Sequence, residues 1–285
     1  MLLVEIFPAF IYGIMALKLP ESPRFLVSKG KDEEAIEILI KYVGEKNPKD
    51  KILSIKNTLG NLDDVISIKN ILSKKTIFIP IVWIGISVAF ISQFTGINII
   101  LYYASSLWSA VGFSQSLSFA VPIGTTTIGI LMTVVGMMVI DRIGRKKLLL
   151  IGSIGMAISL WITGLIFFNA EQTSTGLVLN TNLAWLALIS AHVFYIFFCC
   201  TWGPAVWVVL GELFPNRVRT TGIGIATCAN WIGNIIVTWT FPPMLEYIGL
   251  AQTYLFYGVC CILSFFIVKY LLPETGNKEL EDMQY

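Results

Sequence analysis

The sequence predicts an all-α membrane protein with a bundle of six spanning helices, a water-soluble helical domain and part of one preceding membrane helix. Three observations support this fold class. Of the 285 residues, 55% are hydrophobic and only 13% are charged, which is about half the charged fraction of a soluble globular protein. The charged residues are confined to a few clusters. The apolar stretches between these clusters are as long as membrane-spanning helices.

The N-terminal segment 1–19 is apolar but short. Glu5 limits its uncharged stretch to residues 6–17, which as a helix cover roughly 18 Å of a hydrocarbon core about 30 Å thick. The segment also lacks the basic region and the cleavage site of a signal peptide. We therefore expect it to be the end of a truncated transmembrane helix.

Residues 20–75 are compatible with water and are predicted to form a cytoplasmic helical domain. Three groups of apolar residues recur there at helical spacing. The first group ends at Gly44, the second begins after Pro48, and the third is short. The members are, in order, Ala35, Ile36, Leu39, Ile40 and Val43, then Ile52, Ile55 and Leu59, then Val65, Ile68 and Leu72. The segment contains no Cys, no His and no nucleotide-binding loop, so the sequence does not predict an enzyme.

Six spans are predicted within residues 76–272. The charge-free run 76–140 contains 65 residues, enough for two helices of about 20 residues with a turn. Each of four later charge-free runs is long enough for one span, with the polar segment 173–181 left as a loop. The predicted spans are 77–101, 117–140, 148–168, 184–210, 220–241 and 251–272.

The distribution of basic residues predicts the orientation of the spans. All 20 Lys and Arg residues fall on one side of the predicted membrane, and the opposite loops near 102–116, 169–183 and 242–250 contain none. The positive-inside rule makes the basic side cytoplasmic, including the tail 273–285. We therefore expect a multi-pass membrane protein with a cytoplasmic C-terminus. The net charge of +2 is too small to indicate a nucleic-acid partner.

Two spans combine helix-breaking residues with polar side chains. In the first span, Gln93 and Asn98 flank Gly96, and in the fourth span the pair Gly203-Pro204 precedes Trp207. These spans are the first members of two three-helix sets. Interrupted helices at matching positions are typical of the binding site of transporters that are built from repeats.

The side chains of these two spans suit a neutral, polyhydroxylated ligand. Gln93 and Asn98 can line one wall of a cavity if the helix bends at Gly96, and their amides donate and accept hydrogen bonds without net charge. The indole of Trp207 can stack on a sugar ring. In the next span, Asn230 and Asn234 place two further amides one turn apart. The alternative is that these amides form helix–helix hydrogen bonds within the bundle.

Neither a metal site nor a cofactor site is predicted. His192 is the only histidine, and we expect it to have a structural role. The five cysteines lie within predicted spans, so we expect them to be packing residues without disulfides.

Several motifs occur in an order that resembles the sugar porter family of the major facilitator superfamily, most of all the insect facilitated trehalose and hexose transporters. The resemblance implies the C-terminal half of that fold: the end of the sixth helix, the cytoplasmic domain and helices seven to twelve. It also implies a missing N-terminal half as partner. The motifs are Pro20-Glu-Ser-Pro-Arg24, Gln93-Phe-Thr-Gly-Ile-Asn98, Asp141-Arg-Ile-Gly-Arg-Lys146, Gly203-Pro-Ala-Val-Trp207, Glu212-Leu-Phe-Pro-Asn-Arg-Val-Arg219 and Pro273-Glu-Thr275.

The resemblance also implies roles for individual residues. The positions that match sugar contacts are Gln93, Asn98, Trp207 and Asn230. A second set matches an interhelical charge network that stabilises one access state: Asp141, Arg142, Arg145, Glu212 and Arg219. The alternative for the arginines is simple anchoring to the membrane surface. Three positions depart from the family pattern, because Ser92 replaces a glutamine, Gly129 an asparagine and Cys199 an acidic residue.

The function that we expect from the resemblance is facilitative transport of a sugar, a hexose or trehalose, across the plasma membrane, by alternating access and without covalent chemistry. Two alternatives are a non-transporting sugar sensor on the same scaffold and a seven-helix receptor. A sensor would be favoured by a long signalling tail, whereas about 13 residues follow the last span. The long loop at 18–75 and the absence of an extracellular cysteine pair argue against a receptor.

Overall fold

The computed structural model describes residues 6–59, 71–72, 77–102, 115–173, 176–215 and 218–275. Contacts divide the chain into two units, residues 1–70 and 71–285.

The first unit consists of four described helices: α1 (Ile6–Lys18), α2 (Pro23–Ser28), α3 (Asp32–Ile38) and α4 (Pro48–Leu59). The apolar helix α1 buries no side chain. Helix α3 continues into one π-helical turn and stops at Gly44, which adopts a left-handed conformation with φ 71°. The predicted helix end at Gly44 and the predicted helix start at Pro48 are therefore confirmed.

Helices α2 to α4 share a small apolar core. Its buried members are Leu26, Val27, Ala35, Leu39, Ile52 and Ile55. On the surface, Lys56 pairs with Asp32 and thereby joins α4 to α3. Most of the predicted third helix, including Val65 and Ile68, lies outside the described residues. Leu72 is not helical, because it forms an isolated antiparallel bridge with Phe78.

The second unit contains the membrane bundle. Its helices are α5 (Pro80–Gln93), α6 (Ile97–Tyr102), α7 (Gln115–Ile143), α8 (Arg145–Phe167), α9 (Thr181–Cys200), α10 (Trp202–Leu213), α11 (Arg219–Tyr247) and α12 (Leu250–Leu271). When α5–α6 and α9–α10 each count as one interrupted span, the described residues contain six spans long and apolar enough to cross a membrane. The predicted all-α membrane fold is confirmed.

The structure differs from the predicted spans in three respects. Helix α11 continues through Pro242 and Pro243 to Tyr247, because membrane helices tolerate proline where neighbouring groups satisfy the freed backbone. Helix α8 begins at Arg145, so the basic cluster forms its first turn. The predicted loop before α9 contains a small antiparallel hairpin of β1 (Glu171–Thr173) and β2 (Gly176–Val178).

The helices of the bundle pack in pairs around one apolar core. Helix α8 packs against α9 and α12, α5 packs against α11, and α7 packs against α9. The largest buried side chains include Trp202, Tyr257, Phe194, Phe214 and Phe241. This packing brings α5, α10 and α11, which carry the predicted site residues, into contact with one another.

The histidine and the cysteines are located within this packing. His192 lies on α9, and its two ring nitrogens lie 2.9 Å from the Thr125 hydroxyl of α7 and 2.8 Å from the Leu188 carbonyl oxygen. It therefore connects two helices. All five cysteines are free thiols, and Cys228 is the exposed one.

Candidate functional site

The first span is interrupted where the sequence places Gly96. Helix α5 ends at Gln93, α6 begins at Ile97, and Gly96 between them has φ 93°. This backbone conformation favours glycine, because a side chain there is strained. A Cβ at position 96 would also lie 3.3 Å from Cβ of Tyr257 on α12.

The interruption brings three amide side chains together. Nδ2 of Asn98 donates to Oε1 of Gln93 over 2.7 Å, and Nδ2 of Asn234 donates to the same oxygen over 3.2 Å. We call Gln93, Asn98 and Asn234 the amide cluster. Its internal bonds do not use Nε2 of Gln93 or the side-chain oxygens of the two asparagines. The cluster can therefore present donors and acceptors without net charge.

Sequence reasoning did not include Asn234 among the sugar contacts. The available signal was its position one turn after Asn230, since residues four apart lie on the same helix face. What the sequence lacks is the register between α11 and α5, which decides which of the two asparagines reaches Gln93.

Asn230 occupies a different position from the cluster. It is buried, and its Nδ2 donates over 3.0 Å both to the Ala89 carbonyl oxygen and to Oγ of Ser92 on α5. Ser92, one of the three departures from the family pattern, thus serves as its acceptor. These contacts favour a role for Asn230 in joining α11 to α5 over direct contact with a ligand.

The variant Asn230→Ala tests this role. We expect its free energy of unfolding to fall by about 1–2 kcal/mol, because two hydrogen bonds between buried helices are lost. Thermal unfolding of the purified chain in detergent measures the effect. Ser92→Ala should show a smaller decrease, since it removes one acceptor, and Asn182→Ala in the exposed first turn of α9 should show none.

The opposite pattern would identify Asn230 as a ligand contact. In that case Asn230→Ala would leave the unfolding temperature unchanged and weaken sugar affinity about 2- to 12-fold, the equivalent of one neutral hydrogen bond.

Trp207 lies on another helix, α10, and 51% of its surface is exposed. Helix α10 begins after Thr201, where the fourth span is interrupted with φ −122° and ψ −79°. The fourth span is therefore interrupted two residues before Gly203-Pro204, the pair from which the interruption was predicted.

The two remaining departures from the family pattern lie near Tyr195 of α9. A Cβ on Gly129 would lie 2.6 Å from the Tyr195 hydroxyl oxygen, so the phenol occupies the space beside this glycine. Cys199 lies one turn further along α9 and is buried.

The predicted charge network is centred on Arg145. Its Nε donates to Oε2 of Glu212 over 3.0 Å, and its Nη2 donates to Oε1 over 2.8 Å. Nη2 also lies 2.8 Å from Oδ1 of Asp141. A two-bond arginine–carboxylate pair is stronger and more directional than a single contact. Only 11% of the Arg145 side chain is exposed, so solvent screens the pair less than it screens a surface ion pair.

The other two members of the predicted network are placed differently. Arg142 is exposed at the end of α7. Arg219 begins α11, and its Nη2 lies 3.8 Å from the place that a Cβ on Gly211 would occupy. Arg219 therefore lies beside α10, near Glu212.

Two residues of the segment after α12 also join this network, and sequence reasoning gave them no role in it. Thr275 is buried and donates to Oε2 of Glu212 over 2.8 Å. Oε1 of Glu274 accepts from the backbone N–H groups of Arg145 and Lys146 over 3.1 and 3.5 Å. A carboxylate at this position stabilises the start of α8, where N–H groups lack helical partners. The sequence signal that could have indicated these two contacts is the Pro273-Glu-Thr275 motif.

Comparison with known proteins connects this arrangement to a family. The family model described as "Sugar (and other) transporter" matches residues 1–285. A glucose transport protein of Synechocystis sp. is 40% identical over 279 residues, which are 98% of this chain and 59% of that protein. The D-xylose-proton symporter of Escherichia coli K12 is 32% identical over 292 residues, covering 98% of this chain and 55% of the symporter.

A solved structure gives the same result. The proton:xylose symporter XylE bound to 6-bromo-6-deoxy-D-glucose superposes with a TM-score of 0.81 at 31% identity, covering 98% of this chain and 57% of that one. This chain thus spans between 55% and 59% of the length of these three relatives. It belongs to the sugar (and other) transporter family of the major facilitator superfamily.

Proposed function

We propose that this chain forms one of the two helical bundles of a facilitative sugar transporter, with the sugar bound at the amide cluster. The observation that carries this proposal is the interrupted first span, in which Asn98 and Asn234 both donate to Gln93. Asn98 is buried, and Gln93 and Asn234 are partly exposed. Uncharged amides whose remaining donors and acceptors are not used within the cluster suit a ligand with many hydroxyl groups. Trp207, half-exposed on α10, would supply an apolar surface for the sugar ring.

A hexose is the proposed substrate, with trehalose as the alternative to be tested. The similarity to a glucose transport protein supports a hexose. Trehalose, a disaccharide, would need a larger cavity between the two bundles.

The proposed mechanism is alternating access, in which two bundles rock around a central site. This chain would therefore need a second bundle as partner, on the far side of the sugar. The proposed orientation places the basic clusters and the C-terminal segment in the cytoplasm of a cell bounded by the plasma membrane.

Facilitative transport is proposed over proton coupling for the part of the site that this chain supplies. In the described helices of the membrane unit, the carboxylates are Asp141, Glu212 and Glu246. Each is within the last three residues of its helix. A proton relay typically uses carboxylates within the membrane.

Sugar uptake into vesicles tests the proposal. The chain alone should give no uptake above background, because the amide cluster lacks its opposing wall. A chimera in which the chain replaces the matching C-terminal part of the Synechocystis glucose transport protein should take up glucose. Uptake should stop when inner and outer concentrations are equal, and a pH gradient should not drive accumulation.

Four results would count against the proposal or against one part of it. Uptake by the chain alone would remove the need for a second bundle. Accumulation driven by a pH gradient would contradict the facilitative mechanism. If the folded chimera binds glucose without transporting it, the chain fits a sugar sensor instead. Trehalose as the better substrate would correct the assigned sugar.

A further inference from the structure

The junction between α9 and α10 is fixed by a buried contact that the proposed site does not include. The helix stops at Cys200 and restarts at Trp202. Trp202 is 1% exposed, and its Nε1 lies 3.1 Å from both the Leu149 carbonyl oxygen and Oγ of Ser153 on α8. Oγ of Ser153 lies 3.0 Å from Oγ of Ser264 on α12. The indole N–H thus bonds the start of α10 to α8, and Ser153 in turn connects α8 to α12.

Helix α8 has a glycine, Gly152, where it contacts this junction. A Cβ on Gly152 would overlap the Thr201 hydroxyl and would lie 2.7 Å from Cβ of Thr201. The missing side chain lets the junction lie directly against α8. Leu149, Gly152 and Ser153 are spaced by three and four residues and so share one helix face. We call these three residues the junction site.

The other end of α10 is bonded to the same helix. Glu212 is paired with Arg145, one turn before the junction site. Both ends of the 12-residue α10 are therefore fixed to α8. Trp207 lies midway between them. A shift at either end would move the indole of Trp207 relative to the amide cluster.

We infer that Trp202 is a positioning residue for sugar binding: its bond to the junction site sets the place of α10 and thereby of Trp207. This inference rests on the proposed function, in which Trp207 contacts the sugar. The competing interpretation is a buried tryptophan that contributes to stability alone.

Uptake kinetics of the glucose-transporting chimera separate the two interpretations. Trp202→Phe keeps an aromatic ring and removes the N–H. The half-saturating glucose concentration should rise about 3- to 10-fold, the equivalent of about one neutral hydrogen bond. The maximal rate per folded molecule should stay within about twofold. Trp239→Phe, which alters an exposed tryptophan of α11, should change neither value.

A second variant guards against a simple folding defect. Ser153→Ala removes one acceptor of the indole N–H while leaving Trp202 in place, so it should raise the half-saturating concentration by a smaller factor. The factor by which the double variant raises the half-saturating concentration should be smaller than the product of the two single-variant factors, because residues that share one bond are not independent. Independent effects, or an unchanged half-saturating concentration in Trp202→Phe, would overturn the inference.

A distance measurement tests the position of α10 without transport. Spin labels attached by a cysteine-independent chemistry at the exposed positions Ile151 and Trp207 report the separation of α8 and α10 in the purified 285-residue chain. The distribution should be narrow in the parent and broader or shifted in Trp202→Phe. An unchanged distribution would overturn the inference even if sugar affinity fell. If the unaltered chimera fails to transport glucose, that result contradicts the proposed function. The distance between the spin labels would still show whether Trp202 sets the position of α10.

Discussion

Replacing Glu212 by glutamine should shift the equilibrium between outward- and inward-facing states of the chimera toward the inward-facing state by about 5- to 30-fold. Glu212 accepts two bonds from Arg145 and one from Thr275. The glutamine side chain keeps one acceptor oxygen, but its NH2 group would face an N–H of Arg145 or the hydroxyl of Thr275, which are also donors. The loss of charge also weakens the remaining bonds. A change of about 1–2 kcal/mol gives the stated shift in population, provided that the network stabilises the state closed on the cytoplasmic side.

Accessibility labelling measures this shift. A cysteine is introduced at Val208, next to Trp207, and a membrane-impermeant thiol reagent is applied from each side in turn. The parent without the added cysteine gives the background from the native thiols. Glu212→Gln should raise labelling from the cytoplasmic side and lower it from the outside. Sugar offered from outside should bind more weakly, although the amide cluster is intact.

Glu246→Gln is the matched control, because it makes the same chemical change at an exposed site near the opposite end of the bundle. It should leave the labelling unchanged. If Glu212→Gln also labels like the parent, the charge network does not control access. Arg145 would then be a structural residue at the start of α8.

The variant Gly136→Ala should cause a large loss of stability. A Cβ at position 136 would overlap the Cys200 carbonyl oxygen and would lie 2.9 Å from its carbonyl carbon. Because the obstacle is backbone, no side-chain rotation relieves it, and α7 must move away from α9. We expect the free energy of unfolding to fall by about 1–3 kcal/mol, measured by thermal unfolding in detergent.

Gly124→Ala provides the comparison on the same helix. A Cβ there meets no atom within 4 Å among the described residues. Alanine favours a helix over glycine by about 1 kcal/mol, so this variant should be neutral or slightly stabilised. Equal unfolding temperatures for the two variants would show that α7 and α9 separate at no cost. The close contact between Gly136 and Cys200 would then make no measurable contribution to stability.

The sequence by itself determined the number and approximate limits of the spans. A membrane excludes charge and requires about 20 apolar residues for each crossing. Both conditions concern consecutive residues, so they can be recognised without knowing which helices pack together. The break near Gly96 was predictable for the same reason, since a glycine between polar residues alters the helix locally. The helix end at Gly44 also follows from local chemistry.

Tertiary structure decided which side chains meet. Glu212 bonds Arg145 across 67 residues, and Asn234 reaches Gln93 across 141. Such pairs depend on the register of packed helices, which in turn depends on where small residues such as Gly152 permit close approach. Sequence reasoning placed the amides of Asn230 and Asn234 one turn apart on α11 but could not tell that Asn234 reaches Gln93 and Asn230 reaches Ser92. It could not show that Trp202 and Glu212 fix both ends of α10 to one helix, because neither bond exists until α8 and α10 pack together.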